Sequence, residues 1–110
     1  MLKESQYVKI RLTVPVSHAA IVRRALGEAG AGVQGNYSHC SYSYPVTGRF
    51  MPRTGARPAI GQVGVLEEVA EECIEVICDK DIVPRVIAAV KEVHPYEEPA
   101  IDIIPRLEIE

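Results

Sequence analysis

The chain lacks both the charge excess of a nucleic-acid-binding protein and the long apolar run of a membrane protein. Its 110 residues carry a formal net charge of -3 at pH 7, whereas a strongly basic face usually marks a nucleic-acid surface. No apolar run approaches the roughly 20 residues that a helix needs to cross a bilayer. The N-terminal residues also lack the layout of a signal peptide. We therefore expect no nucleic-acid partner, no membrane partner and a cytoplasmic location.

Cysteine is scarce, and its spacing argues against a disulfide framework. The three cysteines, Cys40, Cys73 and Cys78, form an odd set without a CxxC motif, and disulfides are rare in cytosolic proteins. Cys73 and Cys78 lie five residues apart on one predicted strand. They should therefore point to opposite faces and act as small apolar filler. Cys40 differs because His39 and several polar residues surround it.

Recognisable enzyme motifs are missing as well. Gly27, Gly30 and Gly32 follow a predicted helix instead of opening one, so they do not form a dinucleotide-binding fingerprint. No phosphate-binding loop and no nucleophile–base pair is visible, and we assign no catalytic residue. The hydrophobic share of 47% and the charged share of 25% are those of a globular domain. A chain of this size closes one core, so we expect a single domain over residues 1–110.

The first half of the chain predicts a strand followed by a helix. Tyr7–Val14 alternates apolar and polar side chains, as a half-buried strand does, and Pro15 ends it. Ser17 is a suitable N-cap for the helix, which Gly30 and Gly32 end. The predicted buried stripe of this helix consists of Ile21, Val22, Ala25, Leu26 and Ala29.

The second half repeats this plan. Cys73–Cys78 predicts a strand, and Asp79 or Asp81 caps the helix that follows. Pro84 falls in the first turn of that helix, where a missing N–H costs little. Ala100–Pro105 predicts a short final strand. Two such units interleave into a four-stranded antiparallel sheet with both helices on one face. The predicted fold is thus α+β, a ferredoxin-like β-α-β-β-α-β sandwich with strand order 4-1-3-2.

A long connection separates the two halves. Pro45–Gly64 is rich in Gly and Pro and carries Arg49, Arg53 and Arg57, and connections of this length are usually functional or mobile. It predicts an extended hairpin arm over about residues 45–64, with Gln62–Val69 returning as an added strand. The arginines could be merely solvated, could wrap a partner subunit, or could contact an anion.

Two polar, aromatic segments follow the predicted helices. Gly35–Ser41 and His94–Pro99 contain two of the three histidines, Cys40 and an adjacent pair of carboxylates. Such side chains move protons near neutral pH and bind transition metals. The ligand-binding candidates are Asn36, Tyr37, His39, Arg49, His94, Tyr96, Glu97 and Glu98. The metal-ligand candidates, for a divalent or copper ion, are His39, Cys40, His94 and Glu98.

A purely structural interpretation of the second segment is equally open. A protonated His94 would close its helix and interact with the C-terminal dipole by roughly 0.3–1 kcal/mol. Pro95 would stop the helix, Pro99 would pre-order the last strand, and Tyr96 would cap the core.

The predicted strand order suggests that the two segments need more than one copy of the chain. The second and fourth strands are the sheet edges, and we expect them to run parallel, with His39, Cys40 and Tyr42 along the second strand. The two segments then cannot share a pocket within one subunit. Open edges are a liability that oligomerisation removes, and a head-to-tail ring closes such contacts. We expect a cyclic homo-oligomer with polar clefts between subunits.

Four motifs together resemble the inserted domain of the YqfO/YbgI family, also called NGG-interacting factor three. They are Gly35–Ser41, Thr47–Phe50, Ile60–Gly64 and His94–Pro99. The resemblance covers roughly Tyr7 to Pro105 and implies a CutA/PII-like domain and a homotrimer. Full-length relatives also have a host domain with a two-metal centre, and neither half of that host has a counterpart here. The family's hydrolase or GTP cyclohydrolase label is therefore not carried over.

The leading functional prediction is a non-catalytic, trimeric binding or regulatory module. It would bind a small ligand or metal ion at clefts between subunits, and its partners would be itself and a small anionic ligand or another protein. One alternative is a copper- or zinc-handling protein of the CutA type. Another is an uncharacterised hydrolase-related enzyme with Glu98 or His94 as general base.

Overall fold

Four strands and two helices alternate along the chain in the predicted order. The computed structural model describes residues 1–110. Its elements are β1 (Leu2–Pro15), α1 (Ala19–Glu28), β2 (Tyr42–Phe50), β3 (Glu67–Asp79), α2 (Val83–Val93) and β4 (Ile101–Ile109). Short 3-10 turns, Val16–His18 and Lys80–Ile82, precede the two helices. The α+β, ferredoxin-like prediction is confirmed.

The four strands form one sheet in the order β2-β3-β1-β4, which is the predicted order in reverse. Every neighbouring pair is antiparallel. Three antiparallel steps separate the two edges, so β2 and β4 run in opposite directions, and the expectation that they run parallel is wrong. The end of β2 and the start of β4 therefore lie at the same end of the sheet.

The β2–β3 hairpin is longer and more regular than the sequence predicted. Its register pairs Phe50 with Glu67 and Tyr42 with Glu75. Pro45 lies within β2, where an edge strand tolerates the missing N–H. The irregular part of the arm consequently spans residues 51–66.

The core lies between the helices and one face of the sheet. Its fully enclosed side chains include Ile10, Leu12 and Ile74 from the strands and Leu26 and Val90 from the helices. The rest of the buried cluster is apolar and comes from the same elements, except for Ala31 in the connection after α1. Alternation along β1 and β3 places these residues on one face and the polar residues on the other.

Helix α1 departs from its prediction in two respects. Ile21 was expected in the buried stripe but is 47% exposed, because Val22 and Leu26 occupy the face toward the sheet and leave the preceding position on the flank. Ser17 does not cap the helix, which is preceded by His18 without a side-chain cap. The Ser17 hydroxyl instead lies 2.8 Å from His18 Nδ1.

Helix α2 is preceded by Ile82 without a side-chain cap, so the predicted cap by Asp79 or Asp81 is wrong for the helix itself. Asp79 instead caps the 3-10 turn Lys80–Ile82 that leads into the helix. The Asp79 carboxylate accepts a hydrogen bond from the Asp81 backbone N–H at 2.9 Å, and Pro84 lies in the first turn. This N–H, followed by the Gln6 amide, lowers the pKa of Asp79. Neither helix is long and apolar enough to cross a membrane.

All three cysteines are free, and two of them lie on opposite faces of β3, as predicted. Cys78 belongs to the core, where burial raises the pKa of its thiol. Cys73 lies on the other face, with Sγ 3.3 Å from Tyr44 Oη.

The packing of α1 predicts that its two large aliphatic side chains contribute very differently to stability. Leu26→Ala should lower the free energy of unfolding by about 2–5 kcal/mol, because it empties an enclosed site. Ile21→Ala should change it by less than about 1 kcal/mol, because the side chain is half exposed. Urea denaturation measures both values, and equal losses would contradict this packing.

Candidate functional site

The second polar segment is fastened to the sheet by His94. This side chain is 6% exposed, with Nε2 2.8 Å from the Thr13 carbonyl oxygen. Its Nδ1 accepts the Tyr96 backbone N–H at 3.2 Å. These two contacts require the tautomer with its proton on Nε2. His94 thus links the segment to β1 through hydrogen bonds, whereas the structural interpretation from the sequence required a charged ring.

Tyr96 connects this segment to a buried carboxylate on β3. Its hydroxyl donates to Glu71 Oε2 at 2.5 Å, and Glu71 is only 4% exposed. The Tyr96 ring packs edge-on against the Phe50 ring, with the ring centroids 5.6 Å apart. Its centroid lies 5.2 Å from that of the His94 ring. Burial, followed by the Glu71 hydrogen bond, raises the pKa of Tyr96, so the phenol remains a donor at neutral pH.

Glycine at position 48 makes room for this carboxylate. A Cβ at Gly48 would lie 2.1 Å from Glu71 Oε1, far inside van der Waals contact. Any larger residue there would displace the Glu71 side chain or the strand itself. Glu71 is not among the site residues predicted from the sequence, because it lies in the acidic stretch before the predicted strand Cys73–Cys78. Its even spacing from Cys73 and Glu75 was the signal that placed it on the same strand face.

The arm and the second segment line one open cavity of about 1040 Å³ within a single chain. Four of the predicted ligand-binding residues line it: Arg49, Tyr96, Glu97 and Glu98. Phe50, Arg53 and Glu71 also contribute to its wall. The cavity exists because the arm leaves the end of β2 where the second segment enters β4. If the edge strands ran parallel, as predicted, the end of β2 and the start of β4 would lie at opposite ends of the sheet and could not share a cavity.

Two contacts position the arm over this cavity. The Arg57 backbone N–H donates to Glu97 Oε1 at 2.6 Å, and the Gly64 N–H donates to the Pro52 carbonyl at 2.8 Å. Arg49 pairs with Glu68 at 3.7 Å, with both side chains mostly exposed. An exposed pair of this kind is worth little, so the Arg49 guanidinium is free to exchange partners.

The first polar segment lies elsewhere, in the connection between α1 and β2. His39, Cys40 and their neighbours precede β2 instead of forming its middle. His39 adopts φ 59, and its ring covers Gly27 of α1 so closely that a Cβ there would lie 2.1 Å from it. Tyr37 is 75% exposed, next to the tight turn that contains Asn36.

The proposed metal ligands are not assembled in a single chain. No group of three or more His, Cys, Asp or Glu side chains is placed to hold a metal ion. Neither His39 nor Cys40 lines the cavity that contains Glu98. The set His39, Cys40, His94 and Glu98 therefore remains a prediction that requires a second copy of the chain.

The sheet face opposite the helices carries an ordered polar network. Glu75 accepts the hydroxyl of Tyr44 at 2.7 Å and that of Tyr42 at 3.0 Å. Lys9 donates to the Tyr42 oxygen at 2.7 Å. These contacts, with that of Tyr44 the strongest, lower the pKa of Glu75. The network fixes the side chains of an otherwise uncovered surface.

Comparison with curated proteins finds relatives much longer than this chain. No family model matches it. It is 50% identical over 90 residues to the GTP cyclohydrolase 1 type 2 homolog of Mycobacterium leprae, covering 82% of this chain and 23% of that protein. For the Bacillus subtilis homolog, the identity is 47% over 97 residues, covering 88% of this chain and 26% of that protein. The chain thus spans about a quarter of their length.

A solved structure also matches this chain over only a part of its own length. A Bacillus cereus protein related to NIF3 matches with a TM-score of 0.79 and 44% identity, over 96% of this chain and 26% of the other. This chain is thus similar to one segment, about a quarter, of proteins related to NIF3. The resemblance inferred from the four motifs is confirmed.

The CutA-like fold is confirmed by more distant structures. The periplasmic divalent cation tolerance protein CutA of Archaeoglobus fulgidus gives a TM-score of 0.66 at 22% identity, over 91% of this chain and 83% of that one. The PII-like protein CutA of Nostoc gives 0.62 at 20% identity, over 88% and 78%. At these identities, the likeness concerns the fold.

The buried tyrosine–carboxylate contact predicts a selective loss of stability. Tyr96→Phe removes the only hydrogen bond of a nearly enclosed carboxylate. It should lower the free energy of unfolding by about 1–3 kcal/mol. Tyr37→Phe, on a side chain that is 75% exposed, is the matched control and should have no measurable effect. Equal denaturation midpoints for the two variants would refute the role given to Tyr96.

Proposed function

We propose that this domain is a non-catalytic binding or regulatory module that forms a homotrimer and takes a small ligand beneath its arm. The observation that carries the proposal is the cavity that gathers Arg49, Tyr96, Glu97 and Glu98. Three of these side chains come from the second segment and one, Arg49, from the arm, so a ligand would bridge the two. Ligand binding there would change the position of the arm, because the Arg57 backbone N–H is hydrogen-bonded to Glu97.

Self-association is supported by surfaces that a single chain leaves uncovered. β2 and β4 are both sheet edges, and unpaired edges favour pairing with another copy. Exposed apolar side chains accompany β4, including Ile103 at 43% and Leu107 at 64%. A ring of three copies would cover both edges and bring the first polar segment of one copy toward a neighbour.

The arginines of the arm support recognition of an anionic group. Arg53 lines the cavity, is exposed, and takes part in none of the ion pairs of the chain. A guanidinium offers a planar set of donors that suits carboxylates and phosphates. Together with Arg49, it forms the side of the cavity that an anion would contact.

Metal handling is the second candidate. The Archaeoglobus neighbour that shares the fold is named a divalent cation tolerance protein. Trimer formation could bring His39 and Cys40 of one copy near Glu98 of another, which would supply the mixed ligands that copper and zinc accept. The cyclohydrolase name, by contrast, belongs to proteins of which the matching part is only 23%, and it assigns no reaction to this segment.

The trimer predicts a particle mass about three times the chain mass of 12.1 kDa in light scattering at micromolar concentration. Ile103→Lys places a charge on the β4 edge and should shift the particle toward the monomer. Ile21→Lys is the matched control, since Ile21 is similarly exposed at 47% but lies on α1. A monomeric wild-type protein, or dissociation by both variants, would contradict the edge-paired ring.

The cavity predicts that a binding anion raises the melting temperature through the arm arginines. A ligand present at 100 times its Kd stabilises the folded state by about 2.7 kcal/mol. A thermal-shift screen of nucleotides and small carboxylates should find such a compound. Arg53→Ala should reduce its effect, whereas Arg24→Ala, on an exposed residue of α1, should not. Stabilisation only by zinc or copper, lost in His39→Ala, would favour metal handling instead.

A further inference from the structure

Glu71 is a buried acid without a cationic partner, which is unusual in a folded protein. Three polar residues of the chain are buried: Ser5, His94 and Glu71. Ser5 takes part in three hydrogen bonds, and both ring nitrogens of His94 are engaged. Glu71 has only the Tyr96 hydroxyl, on Oε2. None of the ion pairs of the chain includes it.

The second oxygen of this carboxylate is not fully covered by the protein. No fully buried side-chain oxygen lacks a hydrogen-bond partner, so Oε1, which has none, retains contact with open space. Glu71 lines the cavity, and Oε1 lies against Gly48 at its wall. A carboxylate withdrawn from water is costly unless a cation or strong donors complete it. The chain supplies one phenol and leaves the remaining oxygen to whatever enters the cavity.

The surroundings of Glu71 favour a cation over a second anion. The cavity lining contains three glutamates, Glu71, Glu97 and Glu98, against two arginines, Arg49 and Arg53. The arginines belong to the arm, whereas Glu71 lies on β3 beneath it. The faces of the Phe50 and Tyr96 rings, packed edge to face, would also attract a cation.

We infer that the cavity binds a small molecule through a protonated amine or guanidine group that pairs with Glu71 Oε1. This inference rests on the proposed function, because it assigns a charge to the ligand of the same cavity. Combined with the arginines of the arm, it describes a ligand with a cationic nitrogen at its inner end and an anionic group at its outer end. Gly48 and Tyr96 then serve to hold the carboxylate in place for this recognition.

The test is a set of probes that have similar size and differ in charge. Phenethylamine, 2-phenylethanol and 3-phenylpropionate are titrated into the isotopically labelled full chain, while NMR follows the backbone amides of Gly48, Glu71 and Tyr96. The amine should bind at least about tenfold more tightly than the alcohol, as expected for one hydrogen bond to a charged group. Equal affinities for amine and alcohol would overturn the inference.

Glu71→Gln is the decisive variant, because it keeps the shape and the acceptor for Tyr96 but removes the charge. It should abolish the preference for the amine. Glu68→Gln is the control, since Glu68 lies on the same strand but does not line the cavity, and it should keep the preference. If Glu71→Gln fails to fold, Glu71→Asp replaces it: the charge remains but is withdrawn from the cavity by one methylene group, so the preference for the amine should fall, and an unchanged preference would refute the inference.

The remaining outcomes separate this inference from the proposed function. Binding of 3-phenylpropionate alone would leave a ligand cavity but remove the amine site. Absence of any shift at the cavity amides, in a folded sample, would count against both. Light scattering of the same samples tests whether a second copy of the chain, instead of a small molecule, occupies the cavity. If Glu71→Gln changes the particle mass without changing amine affinity, a basic side chain of a second copy pairs with Glu71, and the small-molecule inference is wrong.

Discussion

A buried carboxylate organises the end of the sheet where the arm and the last loop meet. Glu71 lies under the loop that enters β4, and the Tyr96 hydroxyl binds it at 2.5 Å. That contact holds the Tyr96 ring against Phe50 at the root of the arm. The carboxylate has room only because residue 48 is glycine. Because these residues come from β2, β3 and the loop before β4, the single side chain joins three parts of the chain that are distant in sequence.

The direction of the strands decides which polar residues can act together. β2 and β4 are opposite edges, but their antiparallel orientation brings the end of one and the start of the other to the same end of the sheet. The arm is long enough to fold back toward Glu97 across that end. A ferredoxin-like sheet by itself has no pocket there, so the cavity is a product of the arm. The first polar segment enters β2 from the other end and packs on α1 instead.

The similar proteins identify the family and the fold, whereas the ligand has to be inferred from the cavity of this domain. In relatives such as the Bacillus subtilis protein, the part that matches this chain is 26% of the length, so their name describes more than this domain. The CutA structures share the fold at about 20% identity, which conveys architecture but no ligand. Function has to be argued from the cavity, and its distinguishing features are a half-satisfied buried acid and an arm with an unpaired arginine.

Much of the fold was determined by the sequence, because the strand signals of Tyr7–Val14 and Cys73–Cys78 are local signals of periodicity. Pro84 marked the first turn of α2 by local chemistry, and His94–Pro99 was recognisable by its residue types. Only tertiary structure decided the burial of Glu71, the exposure of Ile21 and the presence of Arg49 and Glu98 in the wall of one cavity. Each depends on which elements lie opposite a residue in space, and that is set by strand direction and packing across the whole sheet.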